Sequence, residues 1–133
     1  MTDGERLNYL KLALRVVGVI AIIGVYPLTV LWPAGWAWHS GRSEYLEMII
    51  AIYATLGVYL IIAARSPNDH LSLISFAIWS SIVHGAVMAI QSVLNPQHLH
   101  HLYGDVLALF VIAAILGLLS PEAFRLRFAR HAV

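Results

Sequence analysis

Polar residues punctuate this chain so sparsely that four apolar stretches, each long enough to cross a bilayer, make up most of it. The first runs roughly over 10–32, with Arg15 one turn inside its start, where a long basic side chain can reach back to the headgroups. Pro27 lies late in that stretch and cannot donate to the carbonyl of Ile23, so a kink is expected there. The second stretch is expected over 44–64. Ser43 is its natural N-cap, and Glu44 and Glu47 lie in or beside the first turn, where the helix dipole favours negative charge. The turn Arg65-Ser-Pro-Asn-Asp-His70 leads into a third stretch over 71–94, with Asn68 or Asp69 as the expected cap. A polar loop, 95–104, precedes a fourth stretch over 105–119, opened by Asp105.

A hydrocarbon core roughly 30 Å thick takes about 20 helical residues to cross, so each stretch reads as a span. Ser120-Pro121-Glu122 then begins a short helix, about 121–130, with Pro121 at the first helical position. Phe124 and Phe128 share one face of it and Arg125, Arg127 and Arg130 add charge, the pattern of a helix lying along the membrane surface. The expected fold is all-α: a polytopic membrane protein of one domain, 1–133, with four transmembrane helices in an antiparallel bundle and a short C-terminal interfacial helix.

Composition agrees. Charged residues are 11% of the chain, less than half the roughly 25% of a soluble domain. A formal charge of +1 with dispersed basic residues argues against a nucleic-acid partner. The chain has no cysteine, which excludes disulfides, thiolate metal sites, iron–sulfur clusters and covalent haem. Haem held between two histidines is disfavoured too, because His84 is the one histidine inside a span. The apolar run from Val16 to Leu31 exceeds the 7 to 15 residues of a signal-peptide core and has no clean small-x-small cleavage site, so it reads as a retained span. Arg6, Lys11, Arg15, Arg65, Arg125, Arg127 and Arg130 fall on one side and Arg42 on the other. The positive-inside rule then puts both termini in the cytoplasm. Three tryptophans in Trp32-Pro-Ala-Gly-Trp-Ala-Trp38 mark the opposite water boundary.

An ionisable side chain at depth calls for a partner or a function. His84 is the clearest case, 13 residues after Leu71 and 10 before Leu94, on one helical face with Ser80, Ser81, Met88 and Gln91. Glu47, Gln91 and Asp105 all fall near the outer ends of their spans. Glu47, His84, Gln91 and Asp105 are therefore the expected lining of an outward-opening polar pocket, roofed by His39, His98, His100, His101 and the loop tryptophans. Such a pocket suits a small polar ligand or a transition metal, the metal donors being Glu47, His84, Asp105, His39 and His101. No Glu-x-x-His or His-Glu-x-x-His pair strengthens the metal reading. Each residue also has a plainer role: His84 a bonded core histidine, Glu44 and Asp105 helix-start charges, His39 the polar end of an aromatic belt. Gly18, Gly24, Gly57 and Gly117 allow close helix approach.

Two functions follow. One is an accessory or complex-subunit role, with a membrane-protein partner or a second copy docked on the bundle. The other is handling of a metal or small ligand, as a metal-dependent enzyme or transporter. Below His84 the spans offer mainly Ser75, Tyr59 and Thr55, a poor ion path, and no cysteine or intramembrane lysine serves covalent catalysis. Finally, Trp38-His39, Glu44-Tyr-Leu-Glu-Met-Ile49, Tyr53-Ala-Thr-Leu-Gly57, Ala63-Ala-Arg-Ser-Pro67, Ser72-Leu-Ile74 and Trp79-Ser-Ser-Ile-Val-His84 in that order resemble a family of small four-helix bacterial membrane proteins known as a domain of unknown function. The resemblance covers about 36–116. It implies a bacterial inner-membrane protein with four spans, and no activity, cofactor or partner.

Overall fold

Thr2 starts the first helix with a capping box: its hydroxyl accepts from the Glu5 N–H at 3.2 Å while the Glu5 carboxylate accepts from the Thr2 N–H at 2.7 Å. In the computed structural model, which describes residues 1–125, this helix, α1, runs over Asp3–Leu31. Its middle is a π-helical turn, Ile20–Gly24. Ile23, whose carbonyl Pro27 leaves unbonded, lies in that turn, so a locally widened helix accommodates the proline ring.

The second helix, α2, spans Glu44–Ala63, and the Ser43 hydroxyl caps it by accepting from the Leu46 N–H at 3.3 Å. The third, α3, spans Leu71–Leu94. Neither Asn68 nor Asp69 caps it, contrary to expectation. Both lie inside a 3₁₀ turn, Pro67–His70, and His70 takes the cap position with its Nδ1 directed 3.0 Å to the Ser66 carbonyl. A longer 3₁₀ segment, Pro96–Tyr103, leads to α4, Asp105–Leu119. All four are long and apolar enough to cross a bilayer, making this a multi-pass membrane protein in contact with lipid.

The helices pack as two hairpins, α1 on α2 and α3 on α4, and α1 also meets α4, whereas α2 and α3 touch only sparsely. The α1–α2 crossing depends on two glycines. A Cβ on Gly18 would lie 2.7 Å from the Gly57 carbonyl oxygen, and one on Gly57 would lie 2.5 Å from that of Gly18. Small residues let backbones approach in this way where lipid is as apolar as leucine and packing must supply the attraction.

The core is uneven along the bundle. At the end holding the N-terminus, Leu10, Leu14, Leu60, Ile74, Ile78 and Leu116 form one buried cluster. Ala123, in the short helix Pro121–Phe124, joins it, and Phe124 stacks on Trp79 while its carbonyl accepts from the indole N–H at 3.1 Å. The first turn of the expected interfacial helix is thus docked on the bundle; Arg127, Phe128 and Arg130 lie outside the described residues. At the opposite end a smaller cluster, Met88, Val106 and Leu109, leaves space between the helices.

Candidate functional site

That space is a cavity of about 670 Å³ walled by all four helices. Along α3 its lining runs from Ala77 to Leu94, about 25 Å at 1.5 Å per residue. Apolar side chains such as Val17, Ile20, Ile50, Leu56, Leu109 and Ile112 form most of the wall.

Half-way along, polar atoms appear in the wall. The Tyr53 hydroxyl and His84 Nδ1 are hydrogen-bonded at 2.5 Å, and the two rings lie nearly parallel with centroids 5.9 Å apart. Their depths match: Tyr53 is nine residues into α2 and His84 ten before the end of α3, each about 14 Å from its helix end. This bond bridges the two helices that otherwise barely touch.

Above it, Asp105 anchors the roof. It opens α4, where the helix dipole favours a carboxylate, and its oxygens accept from the Trp38 indole N–H at 3.0 Å and from its neighbour Val106 N–H at 2.9 Å. His101 Nδ1 lies 3.0 Å from the same carboxylate. The His101 ring is buried and stacks on Trp38 with centroids 4.1 Å apart, and His98 packs beside both, 4.8 Å from Trp38 and 5.7 Å from His101. Backbone contact locks the two loops together: a Cβ on Gly104 would overlap the Gly35 carbonyl. The roof is therefore a hydrogen-bonded plug.

The expected site residues divide. His84, Gln91 and Asp105 line the cavity, as does His39 at its mouth. His101 is behind the lining, holding Asp105. Glu47 is absent from the lining and half-exposed, its carboxylate accepting from Arg42 Nε at 2.7 Å and Nη2 at 3.1 Å. The same hydrogen bond pushes the Arg42 guanidinium above its usual range. No three of the expected metal donors, Glu47, His84, Asp105, His39 and His101, come together as a group able to hold a metal ion, and among the described residues no other such cluster forms. The sequence reading missed Tyr53, and it placed the loop tryptophans in the roof without the Trp38–Asp105 hydrogen bond. A mid-span tyrosine needs a partner for its hydroxyl, and depth matching to His84 was the available signal.

Residues 5–127, nearly the whole chain, match a family of unknown function, DUF6632. The chain belongs to DUF6632. The match extends beyond 36–116 on both sides, so the DUF6632 region takes in the first span and the docked Pro121–Phe124 turn as well as the cavity and its roof. No curated protein and no solved structure matches the chain.

Proposed function

We propose that this protein binds a small lipophilic molecule inside the membrane, in the cavity between its four helices. The observation that carries the reading is the cavity itself, about 670 Å³ with apolar walls and a few polar groups at two levels. Ligand sites commonly occupy about 300 to 1,000 Å³ and combine these features. This is the ligand form of the two expected functions. The metal form has less support, because Glu47 is paired with Arg42 and Asp105 is engaged by Trp38 and His101.

The proposed setting is a bacterial inner membrane with both termini in the cytoplasm. Arg6, Lys11, Arg15, Arg65 and Arg125 at one end, against Arg42 at the other, support it. The roof of Trp38, His98 and His101 then faces outward.

Mass spectrometry of protein extracted in a mild detergent tests the ligand reading. A lipophile should accompany the wild type and be lost from Ala108→Phe, which fills the cavity from α4. A second reading, an accessory subunit of a membrane complex, is favoured by the closure of Asp105 upon its own protein, since such a network serves packing. Empty wild-type protein that co-purifies with a partner would replace the first reading with the second.

A further inference from the structure

We infer that His84 reads the polar group of the ligand, donating from Nε2–H to an uncharged oxygen acceptor, so that the cavity takes a lipophile bearing a ketone- or quinone-type carbonyl. This rests on the reading above that the cavity holds a ligand, and deepens it to a ligand class.

The argument begins with Tyr53. Its hydroxyl has one proton to place, and His84 Nδ1 is its one hydrogen-bond partner among the described residues. Either direction leaves one proton free, but with the histidine as donor the Tyr53 proton and the basic Nε2 lone pair would both go unbonded, whereas the phenol, the more acidic donor, pairs naturally with an imidazole nitrogen, the more basic acceptor. Tyr53 therefore donates and Nδ1 accepts. A neutral imidazole that accepts at Nδ1 carries its proton on Nε2. That second nitrogen has no hydrogen-bond partner among the described residues, on a side chain that lines the cavity. Tyr53 thus acts as a positioning residue that turns His84 into a donor.

The remaining wall restricts what is received. Among the described residues no lysine or arginine lines the cavity, so no permanent cation there balances an anionic head. Asp105 has its donors already in Trp38, His101 and Val106. Gln91 is seven residues further out on α3, about 10 Å away, too far to share one acceptor with His84. An uncharged oxygen at the His84 level meets the Nε2–H, and hydrocarbon suits the apolar wall that makes up most of the cavity.

The test uses protein labelled with ¹⁵N-histidine in lipid nanodiscs, titrated with 2-tridecanone and, separately, with tridecane, which has the chain and lacks the carbonyl. His84, assigned by its loss in His84→Leu, should show the Nε2–H tautomer, and its Nε2 resonance should move with the ketone and stay put with the hydrocarbon. The ketone should bind roughly three- to tenfold more tightly, the range of one net hydrogen bond. His84→Leu should bind both probes equally. Tyr53→Phe keeps the histidine and removes the group that orients it, so it should weaken the ketone preference and release the tautomer. Equal binding of the two probes to the wild type, or an Nδ1–H tautomer, overturns the donor assignment while leaving the cavity a ligand site. Binding of neither probe overturns both readings.

Discussion

Replacing Asp105 with alanine should unfasten the roof of the cavity, and the cost can be worked out from its contacts. The change leaves the Trp38 indole N–H, 3.0 Å from the carboxylate in the wild type, and His101 Nδ1, also at 3.0 Å, without their partner. Side-chain hydrogen bonds between membrane helices average about 0.6 kcal/mol and reach about 1.7. Burial of His101 places these two toward the upper part of that range, and the favourable position of a carboxylate at a helix start adds about 0.5 kcal/mol. The expected loss is about 2–3 kcal/mol. Asp105→Asn keeps one acceptor oxygen and should lose about 1 kcal/mol, close to the net worth of a single hydrogen bond. Reversible unfolding in mixed micelles with increasing SDS, followed by near-ultraviolet circular dichroism of the tryptophans, measures both. Combining Asp105→Ala with Trp38→Phe closes a double-mutant cycle, in which the alanine cost should shrink by about 1 kcal/mol. An Asp105→Ala protein within about 0.5 kcal/mol of wild type, the range of ordinary surface substitutions, or a cycle with no coupling, would refute the account of the roof as a hydrogen-bonded plug.

Gly57→Val forces a side chain against the Gly18 carbonyl and should cost about 1–3 kcal/mol in the same SDS titration, in line with overpacking elsewhere. Gly117→Ala, whose new Cβ would meet the Phe124 ring at an ordinary 3.4 Å, should unfold together with the wild type. Glu47→Gln should leave both the unfolding midpoint and probe binding unchanged, because its partner Arg42 is exposed and the pair lies off the cavity; lost binding in that variant would return Glu47 to the site. The natural absence of cysteine makes orientation readable by labelling. A membrane-impermeant maleimide should modify Gln97→Cys on intact cells and Asn68→Cys only after permeabilisation, and the reverse pattern would invert the proposed topology.

The four spans were legible because length and hydropathy suffice to place a helix in a bilayer, and the Ser43 cap because its geometry is local. Rotation about the helix axis was not. Residues such as Met48, Ile52 and Val58 are apolar and exposed, so α2 carries no polar stripe to mark its outer face, and Glu47 was expected to turn inward when Arg42, five residues earlier, holds it outside. His101 and Asp105 stand four apart, and only the 3₁₀ segment that continues into α4 brings them to one level, a conformation that loop composition does not specify. The Gly35–Gly104 contact joins positions 69 apart in the chain, and neither glycine alone announces the other. Tyr53 passed as one more apolar residue until its depth was set beside that of His84.

The preference of each helix for its neighbour in the chain bears on how the protein is made. With α1 against α2 and α3 against α4, the heaviest contacts are those that emerge from the ribosome one after another. Each helical pair can settle in the bilayer as it is synthesised, the Gly18–Gly57 crossing belonging to the first pair. Joining the two pairs is then a late event, and the Tyr53–His84 bond and the Trp38–Asp105 bond are among the contacts that form only at that stage. A substitution in either should leave membrane insertion intact and slow or loosen assembly of the halves, a defect that two separately expressed hairpins would reproduce.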